Sequence, residues 1–348
     1  MSLMNYSGLA TKVRAMESRL ITRDQLQHMA TLDTVPECAD FLRQLPSYTE
    51  FFQSSDDADL HRGNIERQLM LSLYRDFAKL YRFSNPKQRT YLDFYFMHLE
   101  LIIIKRCLRN CMAHNQEELH LALFEEFFNR HSKVDIMKLS MCEDLTDFIQ
   151  ELSGTVYYDQ LKPIYETGEA KLFDCEMALD LLYFTSVWKG KNKYLSKKEQ
   201  NILSETFGER IDMLNIQWIY RAKKYYQLLP ADMNKLLIPI NYKLKPQQME
   251  DMVMAPTLDE FITIVQQTSY GRNSYYKDLV DLTTLDELQQ SVLDRVYTMT
   301  AQKSPYSAAC LNSYFYFKEK RIQQIITVIE GIRYQVPATE LHNMIAGN

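Results

Sequence analysis

Tyr91–Cys111 reads YLDFYFMHLELIIIKRCLRNC. Leu92, Tyr95, Phe96, Leu99, Ile103 and Cys107 recur at steps of three and four, so they share one helical face. Phe94, Met97, Leu101, Ile104 and Leu108 fall on a second face at the same spacing. A helix apolar on two faces must be covered on both, so this segment is predicted to run between neighbouring helices. The same period continues outward. Tyr6, Leu9, Val13, Met16 and Leu20 predict a first helix with Arg14, Glu17 and Arg19 as its charged complement. Phe315, Ile322, Ile325, Ile326, Ile329 and Ile332 predict a last one over about Tyr314–Tyr334.

Capping boxes, in which a Ser or Thr hydroxyl and a Glu or Gln three residues on satisfy two orphan backbone donors, mark six candidate helix starts. They are Thr22 with Gln25, Thr34 with Glu37, Ser140 with Glu143, Ser196 with Glu199, Thr257 with Glu260, and Thr284 with Glu287. The 348 residues hold only 9 Gly and 10 Pro, too few for the tight turns of a sheet protein. With 46% hydrophobic residues the chain can bury a core, and the fold class is predicted to be all-α.

Two landmarks repeat. Asp40-Phe41-Leu42 returns as Asp147-Phe148-Ile149 and Glu260-Phe261-Ile262, each followed by a tyrosine 7 to 9 residues after the Phe: Tyr48, Tyr157 and Tyr270. Glu100–Arg106 (ELIIIKR) resembles Asn215–Arg221 (NIQWIYR) and Gln324–Glu330 (QIITVIE), at offsets of 115 and 109. Both landmarks agree on a unit near one third of the chain, too long for short solenoid repeats. The expectation is three homologous helical domains, 1–116, 117–229 and 230–348, in a pseudo-threefold arrangement. Ala113–Gln116 and Leu229–Asp232 are the candidate junctions, Pro230 being expected to end the helix before it.

The charge count, 40 basic against 45 acidic residues, leaves no surplus for neutralising phosphates, which argues against a dedicated nucleic-acid binder. No run is apolar for the length of a membrane span, and the first 15 residues show no signal core. The six cysteines form no CxxC pair and read as free thiols of a reducing compartment.

Candidate chemistry is sparse. Cys107, Cys111 and His114 have the spacing of half a zinc site, but two thiols a turn apart are also ordinary core side chains. Asp56, Asp57 and Asp59 are candidate magnesium ligands without a second acidic motif, in a stretch that also reads as an exposed turn. Lys189, Lys191, Lys193, Lys197 and Lys198 surround Gly190 without the glycine spacing of a phosphate loop. They read as a solvated loop, or as a contact for an acidic partner or lipid headgroups. No HExxH, no GxSxG and no other catalytic pattern is present, and nothing calls for a cofactor. The 23 tyrosines suit helix seams and protein interfaces alike.

Lys12–Thr22 (KVRAMESRLIT) resembles the opening helix of the C subunit of bacterial and archaeal V/A-type rotary ATPases, whose eukaryotic counterpart is the d subunit of the vacuolar ATPase. Glu100–Arg109 (ELIIIKRCLR), Asn215–Lys223 (NIQWIYRAK) and Phe317–Tyr334 (FKEKRIQQIITVIEGIRY) resemble the same family, so the likeness spans the whole chain. Glu100 departs from it, standing where the family often has Asn; Asn215 keeps that residue in the second copy.

The resemblance implies a funnel-shaped, non-catalytic central-stalk protein on the cytoplasmic face of the membrane. Its partners would be the central shaft and the proteolipid rotor ring, with no small-molecule substrate of its own, and it would couple ATP hydrolysis or synthesis to proton or sodium movement. Arg14, Arg19, Arg106, Arg221 and Arg333 are the candidate interface residues, with internal salt bridges as the competing role. Other function classes remain open: a general helical protein-interaction scaffold, or a magnesium-dependent helical enzyme using the Asp56 cluster.

Overall fold

A computed structural model describes residues 2–52, 60–113 and 121–347. The Asp56, Asp57 and Asp59 cluster, His114 and the centre of the first candidate junction lie outside the described residues. Among the described residues there are seventeen α-helices and no strand, so the chain is all-α. They pack as two compact units, residues 84–196 and residues 1–83 with 197–348.

The unit of residues 1–83 and 197–348 opens with α1 (Ser2–Glu17), α2 (Arg23–Met29), α3 (Val35–Gln44) and α4 (Arg62–Phe83). The unit of residues 84–196 follows with α5 (Pro86–Met112), α6 (Ala122–His131), α7 (Ile136–Ser140), α8 (Leu145–Glu151), α9 (Val156–Tyr165) and α10 (Leu172–Tyr194). The chain then returns to the first unit through α11 (Lys197–Arg221), α12 (Pro230–Leu236), α13 (Pro246–Met254) and α14 (Leu258–Gln267). It closes with α15 (Leu285–Lys303), α16 (Ala308–Arg333) and α17 (Ala338–Gly347).

Helix starts follow local chemistry. Thr22 with Gln25 and Thr34 with Glu37 form complete capping boxes, and the Thr257 hydroxyl accepts the Glu260 N–H. Ser196 directly precedes α11, and Thr284 precedes α15 without a side-chain cap bond, its hydroxyl turned to the Leu279 carbonyl. Ser140 is a correction. It ends α7 and bonds the Met137 carbonyl, while Asp144 caps α8 instead. Asn85 with Gln88 is a box that a Ser/Thr search overlooks. Pro230 opens α12, as its missing N–H allows.

In the 84–196 unit α5 is buried on two faces, with α10 against one side and α7 and α8 against another. Glu100, 8% exposed in mid-helix, accepts hydrogen bonds from the Ser132 hydroxyl and from Tyr157 Oη. In the other unit α11 carries two buried polar groups. Asn215 holds Ile238 by both backbone groups, at 2.9 and 3.0 Å. The Asp212 carboxylate takes the N–H groups of Tyr242, Lys243 and Leu244 and the hydroxyl of Tyr270, at 2.7–3.2 Å.

In α16 the fully buried Lys318 lies 3.3 Å from Asp76 of α4 and over the ring of Tyr48. Asp76 also accepts the Tyr314 hydroxyl at 2.7 Å. Gln324 donates to the Ile345 carbonyl at 2.9 Å. The landmark positions Glu100, Asn215 and Gln324 are thus all buried and polar, each bonded to a segment 21 to 57 residues further along. Tyr48, Tyr157 and Tyr270 are buried as well.

Two expected outcomes test this packing. A Cβ on Gly208 would come 2.4 Å from Tyr242 Cγ, and the Tyr242 backbone is held by Asp212. The gain in helix propensity, about 1 kcal/mol, is smaller than an overpacking cost of about 1–3 kcal/mol. Gly208→Ala is therefore expected to lower the urea midpoint, and an unchanged or raised midpoint would contradict the close approach.

Burial pushes the Glu100 carboxyl above its ordinary value, against the opposing hydrogen bonds from Ser132 and Tyr157. Its contribution to stability is complete below the unfolded carboxylate value and is lost as pH rises through the raised folded one. Glu100→Gln is expected to match the parent chain in acid and to gain on it as pH rises to neutrality, read by urea unfolding across that range. A constant difference at every pH would refute the assignment.

Candidate partner interface

The five arginines singled out above sit in different surroundings. Arg14 is exposed on the last turn of α1, its guanidinium 5.0 Å from the Tyr306 ring centre. Arg19 is exposed just beyond that helix and forms no ion pair with a described residue; its carbonyl accepts the Ser47 hydroxyl at 2.7 Å. Arg106 is half-buried on α5 beside Cys107, also without an ion pair among the described residues. Arg221 ends α11 with its guanidinium 3.5 Å from Asp286, both side chains mostly in solvent. Arg333 is held internally: Nε reaches Glu330 at 3.2 Å and a terminal nitrogen donates to the Leu60 carbonyl at 3.0 Å. Arg14 and Arg19 thus share one helix end, and Arg106 belongs to the other unit.

Two features escaped the sequence reading. After α11 the chain makes one π turn, Ala222–Tyr226, and leaves it at Gln227 with φ 49°. After α16 it leaves at Gln335 with φ 57°. These are the non-glycine residues with positive φ among the described residues, and they lie 108 residues apart. Each occupies the left-handed position after a helix that glycine usually takes, at a cost of about 1–2 kcal/mol. Each follows an exposed tyrosine, Tyr226 at 71% and Tyr334 at 72%.

The shared signal was the Tyr-Gln pair followed by Pro230-Ala231 in one copy and Pro337-Ala338 in the other. Tyr225 and Leu229 are also exposed beside the first turn. Lys223 folds back to bond the Val253 and Ala255 carbonyls, both at 2.7 Å, at the C-terminal end of α13, where a cation is favoured.

None of this is catalytic geometry. Among the described residues no group of three His, Cys, Asp or Glu side chains is placed to hold a metal. Cys107 and Cys111 are buried, and burial pushes both thiols up, to about 12 and about 11. An open groove of about 910 Å³ runs along α15 past Glu287, Gln290, Asp294 and Arg295. Its Asp294 is already committed to Lys320 and Tyr316 at 2.8 and 2.9 Å. No helix among the described residues is long and apolar enough to cross a membrane. What remains is a helical body with exposed cations and tyrosines at its helix ends.

The sequence model of one family, ATP synthase (C/AC39) subunit, matches residues 9–344. The chain belongs to that family. A member from Methanosarcina mazei, the C subunit of its A-type ATP synthase, is 23% identical, the match covering 94% of this chain and 89% of the relative. The protein of the same name from Methanosarcina barkeri is 24% identical, over 94% of this chain and 89% of its own. That of Pyrococcus abyssi is 23% identical, over 98% and 90%. For this C/AC39 family chain the matched region takes in both ends of the helical body and every arginine above.

Charge reversal separates pinned from available cations. Arg333→Glu is expected to cost about 1–2 kcal/mol by losing its bonds to Leu60 and Glu330. Arg19→Glu is expected to stay within about 0.5 kcal/mol of the parent. Denaturant unfolding of both variants checks this, and equal destabilisation would place Arg19 among the internal contacts.

Proposed function

We propose that this chain is a non-catalytic central-stalk component of a V/A-type rotary ATPase. In this reading it is a socket between the central shaft and the membrane proteolipid ring, peripheral on the cytoplasmic face, and it couples ATP hydrolysis or synthesis to ion transport. The observation that carries the reading is the family match running from residue 9 to residue 344.

The physical chemistry agrees with a mechanical role. A body that passes torque must resist deformation, and close-packed helices tied by buried polar bonds do so. Sequence repeats at 115 and 109 residues support three copies of one helical module, 1–116, 117–229 and 230–348, around a pseudo-threefold axis. Such a body would mediate between a shaft of low symmetry and a ring of high symmetry. Arg14, Arg19, Arg106 and Arg221 are the cations proposed to meet acidic groups of the shaft or ring, fixing register while apolar contacts supply affinity. Arg333 is assigned to holding its own helix end.

The test is recovery of the complex. The chain is tagged in its native host, membranes are solubilised gently, and bound proteins are identified. Shaft, head and proteolipid components are expected together. Recovery of none of them, with the ATPase intact elsewhere in the extract, would overturn the reading.

A further inference from the structure

The C-terminal end of α10 carries a charge pattern that the socket role does not use. Residues 188–198, WKGKNKYLSKK, hold five lysines and no acid, in a chain whose net charge is −5. Lys189 and Lys193 are exposed, one turn apart on one helix face, and neither pairs with a carboxylate among the described residues. Other cations of the same unit are neutralised. Lys105 meets Asp180 at 2.8 Å, Arg130 meets Glu126 at 2.8 Å, and Lys138 and Lys162 lie within 4.0 Å of acids.

Complementing the helix dipole accounts for some of this charge, since cations are favoured in a last turn. It does not account for the rings. Tyr194 is 57% exposed, with the Lys193 ammonium 4.9 Å from its ring centre. Trp188 is half-buried beneath Lys191, whose ammonium lies 4.1 Å from the indole.

We propose that this helix end is a contact for the anionic surface of a lipid bilayer. Lysines on long flexible stems meet a plane of phosphates without needing fixed geometry, at a gain of about fivefold in binding per lysine near the surface. A tyrosine among them has an apolar ring and a polar tip, which suits the headgroup level. No glycine-rich cradle accompanies the lysines, so a single phosphate ion has nothing to hold it in place. The contact is independent of which proteins the chain grips.

The test uses the purified full chain in vesicle flotation. Phosphatidylcholine vesicles containing phosphatidylglycerol are compared with phosphatidylcholine alone. Binding is expected only to the anionic vesicles, with release at high salt as the charges are screened. Lys189→Gln with Lys193→Gln is expected to weaken it roughly 25-fold, and Tyr194→Ser to weaken it less. Lys138→Gln with Lys162→Gln, removing paired cations of the same unit, is expected to leave it intact. These sites are all exposed, so thermal melts should be unchanged, and binding is compared only among variants that melt with the parent. Equal binding to both vesicle types would overturn the proposal. So would retention of binding by the Lys189/Lys193 variant, displacement by inorganic phosphate at an ionic strength where chloride leaves binding intact, or binding to polyglutamate but not to vesicles.

Discussion

A carboxylate removed from water must find donors, and in this chain tyrosine hydroxyls supply them. Glu100 receives Tyr157, Asp212 receives Tyr270, Asp76 receives Tyr314, Glu199 receives Tyr6 and Asp294 receives Tyr316. An all-helical chain satisfies its backbone within each helix, so no ladder of backbone bonds sets how one helix lies on the next. Apolar packing tolerates sliding more readily than a buried hydrogen bond does, because a displaced partner leaves a desolvated acid behind. Burial raises Glu100, Glu209 and Asp212 above the usual carboxylate range even with their donors in place. The ties span distance in sequence as well, 57 residues for Tyr157 and 238 for Tyr314. They lock register within each unit.

That constraint bears on the mechanical role. Close packing by itself resists compression, while directional polar bonds also resist rotation of one helix about its axis. Lys318 shows the cost of such a design. A fully buried ammonium has its charged form disfavoured by burial, which Asp76 partly offsets. Breaking one member of such a pair strands the other, so the cluster specifies one arrangement of α4 and α16 more than it adds net stability.

The surface follows a different logic. Gln227 and Gln335 hold a left-handed backbone where glycine would relax it, at equivalent places in the repeat, each beside a solvent-facing tyrosine. Backbone strain together with exposed aromatic surface is a combination that folding alone does not favour. The arginines divide in the same way. Arg333 is tied into its own unit, while Arg19 stands free of described carboxylates. Residue type did not distinguish them, since both are arginines near a helix end.

Helix identity was legible in the sequence because it depends on neighbours three and four residues apart. The two apolar faces of α5, the boxes at Thr22 and Thr34, and Pro230 at a helix start all express such short-range bonds. The repeat was legible because Phe148, Phe261 and their tyrosines are packing residues that keep their spacing. Ser140 failed because two acceptors compete there: its hydroxyl turned back to Met137, and Asp144 reached the free donors of α8 first. What only the tertiary structure decided is partnership. Asp212 looks like any surface acid of a helix until three N–H groups from residues 242–244 close over it. Arg333 looks like any last-turn cation until the Leu60 carbonyl arrives from 273 residues away. Local periodicity sets which residues point the same way. Which distant segment meets them depends on how whole helices pack, and no stretch of one helix contains that information.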